Sequence, residues 1–192
     1  VFRAKHFSAR LQAASGFDST GFSSQRWVAG GTQRMFEAAR FNDIGVALAL
    51  ETTAIPRTLV GVSAYTSGTT HNRPKRDMEN VNARVYLGDV HVRGQYGPLR
   101  VRGLALIGTL ESADKITAAN ASLSNALGAA RTPVGSAAYA LFLETVVDLL
   151  AVLPVTTKHR LDLFARYDAY DTMWVAAKTL DNPLMERQVL TL

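Results

Sequence analysis

Apolar and polar residues alternate at a period of two in one stretch of this chain after another. In HFSARLQA the odd positions Phe7, Ala9, Leu11 and Ala13 are apolar, while His6, Ser8, Arg10 and Gln12 are polar. In NDIGVALALE the bulky Ile44, Val46, Leu48 and Leu50 alternate with small or acidic residues from Asp43 to Glu51. After the connector TTAIP, RTLVGVSAYT sets Val60, Val62 and Ala64 against Gly61, Ser63 and Tyr65, as the second arm of a hairpin would. Successive strand side chains point to opposite faces, so each segment is predicted as a strand between two unlike environments.

Further along, NVNARVYLGDVHVRGQY changes phase. Val81, Ala83, Val85 and Leu87 are its first apolar set and Val90 and Val92 its second, with Asp89, His91, Arg93 and Gln95 opposite, which predicts a bulge at Leu87-Gly88. LRVRGLALIG opposes Leu99, Val101, Gly103, Ala105 and Ile107 to Arg100 and Arg102, although Leu104 and Leu106 dilute the polar side. In SAAYALFLETVVDLL the odd side runs from Tyr139 through Leu149 and the even side carries Glu144 and Asp148; taken alone, this Ala- and Leu-rich stretch also suits a buried helix. RLDLFARYDAY places Leu161, Leu163, Ala165 and Tyr167 against Arg160, Asp162, Arg166 and Asp168, and VLTL begins one more strand. SADKITAANASLSNALGAA is predicted to be a short helix within a long loop, with Ser112 as N-cap, Asp114 in the first turn and Gly128 at its end. Within it, Asn120-Ala-Ser122 fits a glycosylation acceptor, a triplet frequent by chance.

The connections alternate in length. Long ones (Ala14 to Asn42, Ser67 to Glu79, Thr109 to Pro133, Ala169 to Gln188) are interleaved with short or medium ones (Thr52 to Pro56, Tyr96 to Pro98, Leu150 to Thr156). A meander whose two rims face different compartments has this pattern, because one rim keeps minimal hairpins while loops on the other are free to grow; Greek-key sandwiches give no reason for it. Several segments reach the 9–11 residues that cross a bilayer as tilted strands, and Tyr96, Tyr139 and Tyr167 lie on apolar sides toward strand ends. No uninterrupted apolar run of about 18 residues occurs, which excludes a transmembrane helix. Strands survive in hydrocarbon only in a closed sheet, where every backbone N–H and C=O finds a partner.

Composition narrows the chemistry further. With no cysteine among 192 residues, disulfides, thiolate metal sites and a cysteine nucleophile are excluded. The net charge of +5 is spread among acids, with RPKR (Arg73 to Arg76) the one compact basic cluster, so no nucleic-acid partner is expected. His6, His71, His91 and His159 are far apart and form no helical metal-binding pair, so no metal and no cofactor is expected. Asp89 and His91 share a strand side and Ser63 or Ser136 could serve as a nucleophile, but no G-x-S-x-G motif accompanies them, and the chain is not expected to be an enzyme.

Taken in order, SGFDSTGFSSQRWVAGGTQRMFEA, TLVGVSAYTSG, YLGDVHVRGQYGPLRVRGLAL, LFLETVVDLL, LFARYDAYDT and ERQVLTL resemble the middle of bacterial outer-membrane porin-like proteins, near the phosphate-selective porin O/P group. The most specific piece is F-x-R-Y-x-x-Y-D-T, carried by Phe164, Arg166, Tyr167, Tyr170, Asp171 and Thr172. The resemblance implies an all-β fold: an antiparallel up-and-down transmembrane β-barrel, partial at about eight strands. Residues 1–192 would be a single domain, an incomplete portion of a larger outer-membrane barrel; the lack of an export signal and the stop within a strand agree with a fragment. It does not imply phosphate as solute, and the Val- and Leu-rich link LLAVLPVTT departs from the pattern.

If the apolar sides meet lipid, the pore-lining residues are Arg10, Asp89, His91, Arg93, Arg100, Arg102, Glu144, Arg160, Asp162, Arg166 and Asp168. Placing Arg or Lys toward lipid at midplane costs about 2–4 kcal/mol each, which fixes the orientation. Basic residues outnumber acidic ones in this set, favouring small polar or anionic solutes, although the same charges could simply pair across strands and stabilise the wall. The expected function is a porin-like channel for passive diffusion in the bacterial outer membrane, with membrane lipid as partner and a homotrimer as one assembly open to it. The competing classes are a soluble β-rich ligand-binding protein and an outer-membrane enzyme.

Overall fold

The computed structural model describes residues 1–32, 41–72, 78, 80–123, 131–153, 158–176 and 183–192. They form one antiparallel sheet of nine strands in which spatial order equals chain order. The strands are β1 (Phe2–Ala4), β2 (Phe7–Ser15), β3 (Ile44–Thr52), β4 (Thr58–Gly68), β5 (Arg84–Tyr96), β6 (Leu99–Leu110), β7 (Ala137–Asp148), β8 (Asp162–Val175) and β9 (Glu186–Thr191). Helices are few: α1 (Ala113–Ala121) and the single turn α2 (Leu149–Val152), besides short 3-10 turns. The described sheet is not closed, β1 and β9 being its edges. The predicted strands correspond to β2 through β9, and the ninth is the short β1, whose three residues are too few to show a period.

Local chemistry explains several junctions. The link from β5 to β6 is only Gly97-Pro98; Gly97 has φ 59°, the sign a tight primed turn needs at its first central residue, and Pro98 ends the strand ladder. The bulge expected at Leu87-Gly88 is absent, since β5 pairs without a break with β4 from Arg84 to Gly94 and with β6 from Val85 to Tyr96. The irregularity lies instead between β7 and β8, where the register shifts between Ala137 and Tyr139. The segment SAAYALFLETVVDLL is a strand rather than a buried helix as far as Asp148, and Leu149 and Leu150, expected to extend it, turn into α2. Ser112 precedes α1 as expected but is left-handed and makes no side-chain cap, so α1 is held by packing rather than by capping. Tyr167, expected toward a strand end, lies opposite Leu143 in mid-sheet.

Pairing register decides which side chains share a face. One face carries Leu11, Leu48, Val62, Val90, Ile107, Leu141, Leu143 and Leu163, which remain exposed. Aromatic residues on it lie toward both rims, Tyr96 at the short-turn end and Tyr86, Tyr139 and Trp174 at the long-connection end, where Tyr139 and Trp174 meet edge to face at 5.6 Å. The opposite face has two zones. Near the long connections it is apolar and covered: Val85, Leu110 and Ala138 pack with Phe22, Trp27 and Val28 from the β2–β3 connection, Met78, Val81 and Ala83 from β4–β5, and Ala113, Ile116 and Val134 from β6–β7. This explains the apparent phase slip in β5, because Val85 and Leu87 stay on the face of Asp89 and His91 and what changes is the cover above them.

Polar groups stitch this cover together. The Trp27 indole N–H donates to the Gly135 carbonyl (2.8 Å), and its ring presses against Gly108, where any Cβ would collide with it. Asn120 Nδ2 donates to the Ser19 carbonyl (3.0 Å), Thr172 Oγ1 to the Ser24 carbonyl (2.5 Å), and the Ser24 amide to Thr132 Oγ1 (2.9 Å). Ile116 is fully buried at the centre of this cluster. Ile116→Ala is therefore expected to cost the covered zone about 2–5 kcal/mol. Amide hydrogen exchange checks it: protection should fall in α1 and the adjoining ends of β5 and β6, while the β2–β3 pairing keeps its rates.

Candidate functional site

The second zone of the same face, toward the short turns, carries the charges. All ten predicted pore-lining residues that lie in strands fall on this one face: Arg10 on β2, Asp89, His91 and Arg93 on β5, Arg100 and Arg102 on β6, Glu144 on β7, and Asp162, Arg166 and Asp168 on β8. Arg160, just before β8, joins them through contacts to Asp162 and Asp148. The cause is the ladder itself: directly paired residues share a face, so one row reads Arg93, Arg102, Glu144, Arg166 and the row beside it His91, Leu104, Phe142, Asp168.

Two ion-pair ladders occupy β6 to β8. Glu144, 8% exposed, accepts from Arg102 Nε (2.9 Å) and Nη2 (2.5 Å) and lies 3.6 Å from Arg166 Nη1. Arg166 also grips Asp168, Nη2 to Oδ1 at 2.7 Å, and its guanidinium stands 4.5 Å over the Phe142 ring. Toward the short turns, Asp162 is held by Arg100 (2.6 Å) and Arg160 (2.8 Å), and Arg160 reaches Asp148 at 3.7 Å.

Across β2 to β5 a chain of polar contacts runs Ser8, Glu51, His91, Asp89, Ser63, hydrogen-bonded except for the longer Glu51–His91 contact. Ser8 Oγ donates to Glu51 (3.2 Å), His91 stands between Glu51 (3.6 Å from Nε2) and Asp89 (2.8 Å from Nδ1), and Ser63 donates to the other oxygen of Asp89. Gly61 makes room for the imidazole, which occupies the space a Cβ would need. The carboxylate stands between hydroxyl and imidazole, so His91 is not placed to take a proton from Ser63, as a serine nucleophile requires. Ser136, the other candidate, donates instead to the Val175 carbonyl at 2.9 Å.

Sequence reasoning put Glu51 and Asp148 on the polar sides of their segments but left both out of the pore-lining set. With them included, the carboxylates equal the arginines of the predicted set, and Arg3 on β1 and Arg187 on β9, which pairing puts on the same face, leave arginine in excess. Placement adds to it. Arg10 and Arg93 have no ion-pair partner among the described residues, and Arg93 lies directly opposite Arg102, a like charge. Arg93, Arg57, Arg100, Arg102 and Glu144 line a hollow of about 560 Å³, and a smaller one of about 230 Å³ lies beside Arg10, Gln12, Tyr65 and Asp89.

Other sequence expectations resolve plainly. Asn120, of the glycosylation triplet, is buried with its amide bonded to Ser19, which leaves no room for a glycan. The basic cluster Arg73 to Arg76 and the helix end at Gly128 lie outside the described residues. Among the described residues, no group of three His, Asp or Glu side chains is arranged to hold a metal, and no helix is long and apolar enough to cross a membrane. No family model, curated protein or solved structure matches this chain.

Coupling between Arg102 and Glu144 can be read directly. Arg102→Gln and Glu144→Gln should each lower stability in a denaturant titration, and the double variant should lose less than their sum, by about 0.5–1 kcal/mol. Strictly additive losses would show that the two side chains act independently.

Proposed function

We propose that this chain is part of a porin-like outer-membrane channel, with its charged face lining a water-filled lumen and its apolar face against lipid. The observation that carries this reading is the uncovered apolar face. Long strands of β-branched and leucine side chains stay exposed while the opposite face is either charged or roofed by loops, the reverse of a sheet built to pack its greasy side in a soluble core. In lipid that arrangement is the favourable one, since apolar side chains meet hydrocarbon and arginines worth about 2–4 kcal/mol each avoid it. Strands β4 to β8, of 11 to 14 residues, exceed the bilayer requirement, and the aromatic residues toward both rims sit where interfacial belts belong. Backbone pairing in hydrocarbon demands closure, so the nine strands are a segment of a complete barrel.

Passage is by diffusion. Solutes entering from the short-turn side meet the arginine-lined hollow first, with Arg93 able to attract an anion because it has no carboxylate partner among the described residues. The paired charges of β6 to β8 keep the wall wet and rigid without adding net field. At the far rim the apolar cluster of the long connections narrows the route and sets the size limit. Small polar or anionic solutes are the cargo this wall suits.

The test is the full-length gene product reconstituted in planar bilayers. It should fractionate with the outer membrane and raise conductance. Reversing Arg10 and Arg93 to Glu should shift the reversal potential toward cations, and because neither side chain holds an ion pair among the described residues, the change alters the field without dismantling the wall. A water-soluble product without conductance would overturn the channel and favour a soluble ligand binder, and an unchanged reversal potential would remove both residues from selectivity.

A further inference from the structure

The link between β7 and β8 has a composition unlike that of a turn facing water. Leu149-Leu150-Ala151-Val152-Leu153 forms α2 and its end, and Val152 and Leu153 are 60% and 54% exposed. The turn is held in place: the Leu149 amide donates to the Leu161 carbonyl (2.8 Å), the Leu153 amide to the Leu149 carbonyl (3.1 Å), and the Asp148 amide to the Pro98 carbonyl (3.0 Å). Its apolar surface is thus a built projection at the short-turn rim. The one acid at its start, Asp148, faces Arg160 at 3.7 Å, so that charge is answered within the protein.

Further apolar side chains are exposed at this rim. Leu161, just before β8 and bonded to Leu149, and Leu163, paired to Val147 on the apolar face, are exposed, as are Ile55 in the β3–β4 turn and Tyr96 at the end of β5. An apolar patch that continues the lipid-facing side of the sheet past the last strand residue has one occupant consistent with it. We infer that α2 is an interfacial anchor, seated in the boundary between phospholipid headgroups and acyl chains on the short-turn side. A single turn is too short to enter the hydrocarbon, and the following Lys158 is exposed and long enough to reach headgroup phosphates while its stem stays apolar. This inference rests on the channel reading of the sheet, and its test separates the two.

These 192 residues contain no cysteine, and any cysteine elsewhere in the full-length product is replaced by serine so that a single introduced one reports alone. Leu143→Cys on the mid-sheet apolar face, Val152→Cys in α2 and Ala118→Cys on the exposed side of α1 are labelled with an environment-sensitive dye in the full-length protein. Each is reconstituted in phosphatidylcholine vesicles whose acyl chains are brominated near the headgroup or near the bilayer centre. The Leu143 label should be quenched most by deep bromines, and the Val152 label by shallow bromines, several-fold more than the Ala118 label. A Val152 label no more quenched than Ala118, with Leu143 quenched, overturns the anchor and leaves the channel standing. An unquenched Leu143 label overturns both.

Discussion

Everything in this molecule follows from an antiparallel backbone ladder that runs unbroken in register across most of its width. Each paired residue fixes the face of its partner, so the choice made by Arg10 on β2 is transmitted through Ala49, Ser63, Asp89, Leu106 and Ala140 to Tyr170 on β8. A one-residue slip anywhere would turn charges onto the apolar side of every strand beyond it. The penalty for that error is what makes the two faces so unlike.

Given the ladder, the two zones of the charged face answer different physical needs. Toward the long connections, Val85, Leu110 and Ala138 share the face that carries the charges and are roofed there by Phe22, Trp27 and Ile116. Toward the short turns no described residue of the buried cluster covers the face, and side chains there must be solvated or paired. Glu144 shows how tightly this is managed, since a carboxylate so little exposed is tolerable only between two guanidiniums. Arg10 and Arg93 have no such partner among the described residues, so their fields are not cancelled by an adjacent carboxylate.

Much of the fold was legible because a half-exposed strand writes its environment into alternate residues. The strands β2 to β9 and the side chosen by each predicted pore-lining residue could be read this way, as could the alternation of long and short links. Failures came where a residue answered to a distant neighbour. Leu87-Gly88 looked like a bulge because the cover over Val85 and Leu87 comes from three separate loops, which a local window does not contain. Glu51 and Asp148 were read on the polar side but not as site residues, because their partners His91 and Arg160 lie in other segments.

The amino-acid sequence by itself determined the strand order, the existence of one greasy and one charged face, and the absence of cysteine chemistry within these 192 residues. Only the tertiary structure decided which charges are spent on one another, since pairing depends on register between strands and composition is blind to it. It also decided that the long connections form an apolar roof and that the leucine-rich link ends in a projecting turn. These outcomes depend on contacts between residues tens of positions apart, whereas period-two alternation is a property of each strand alone.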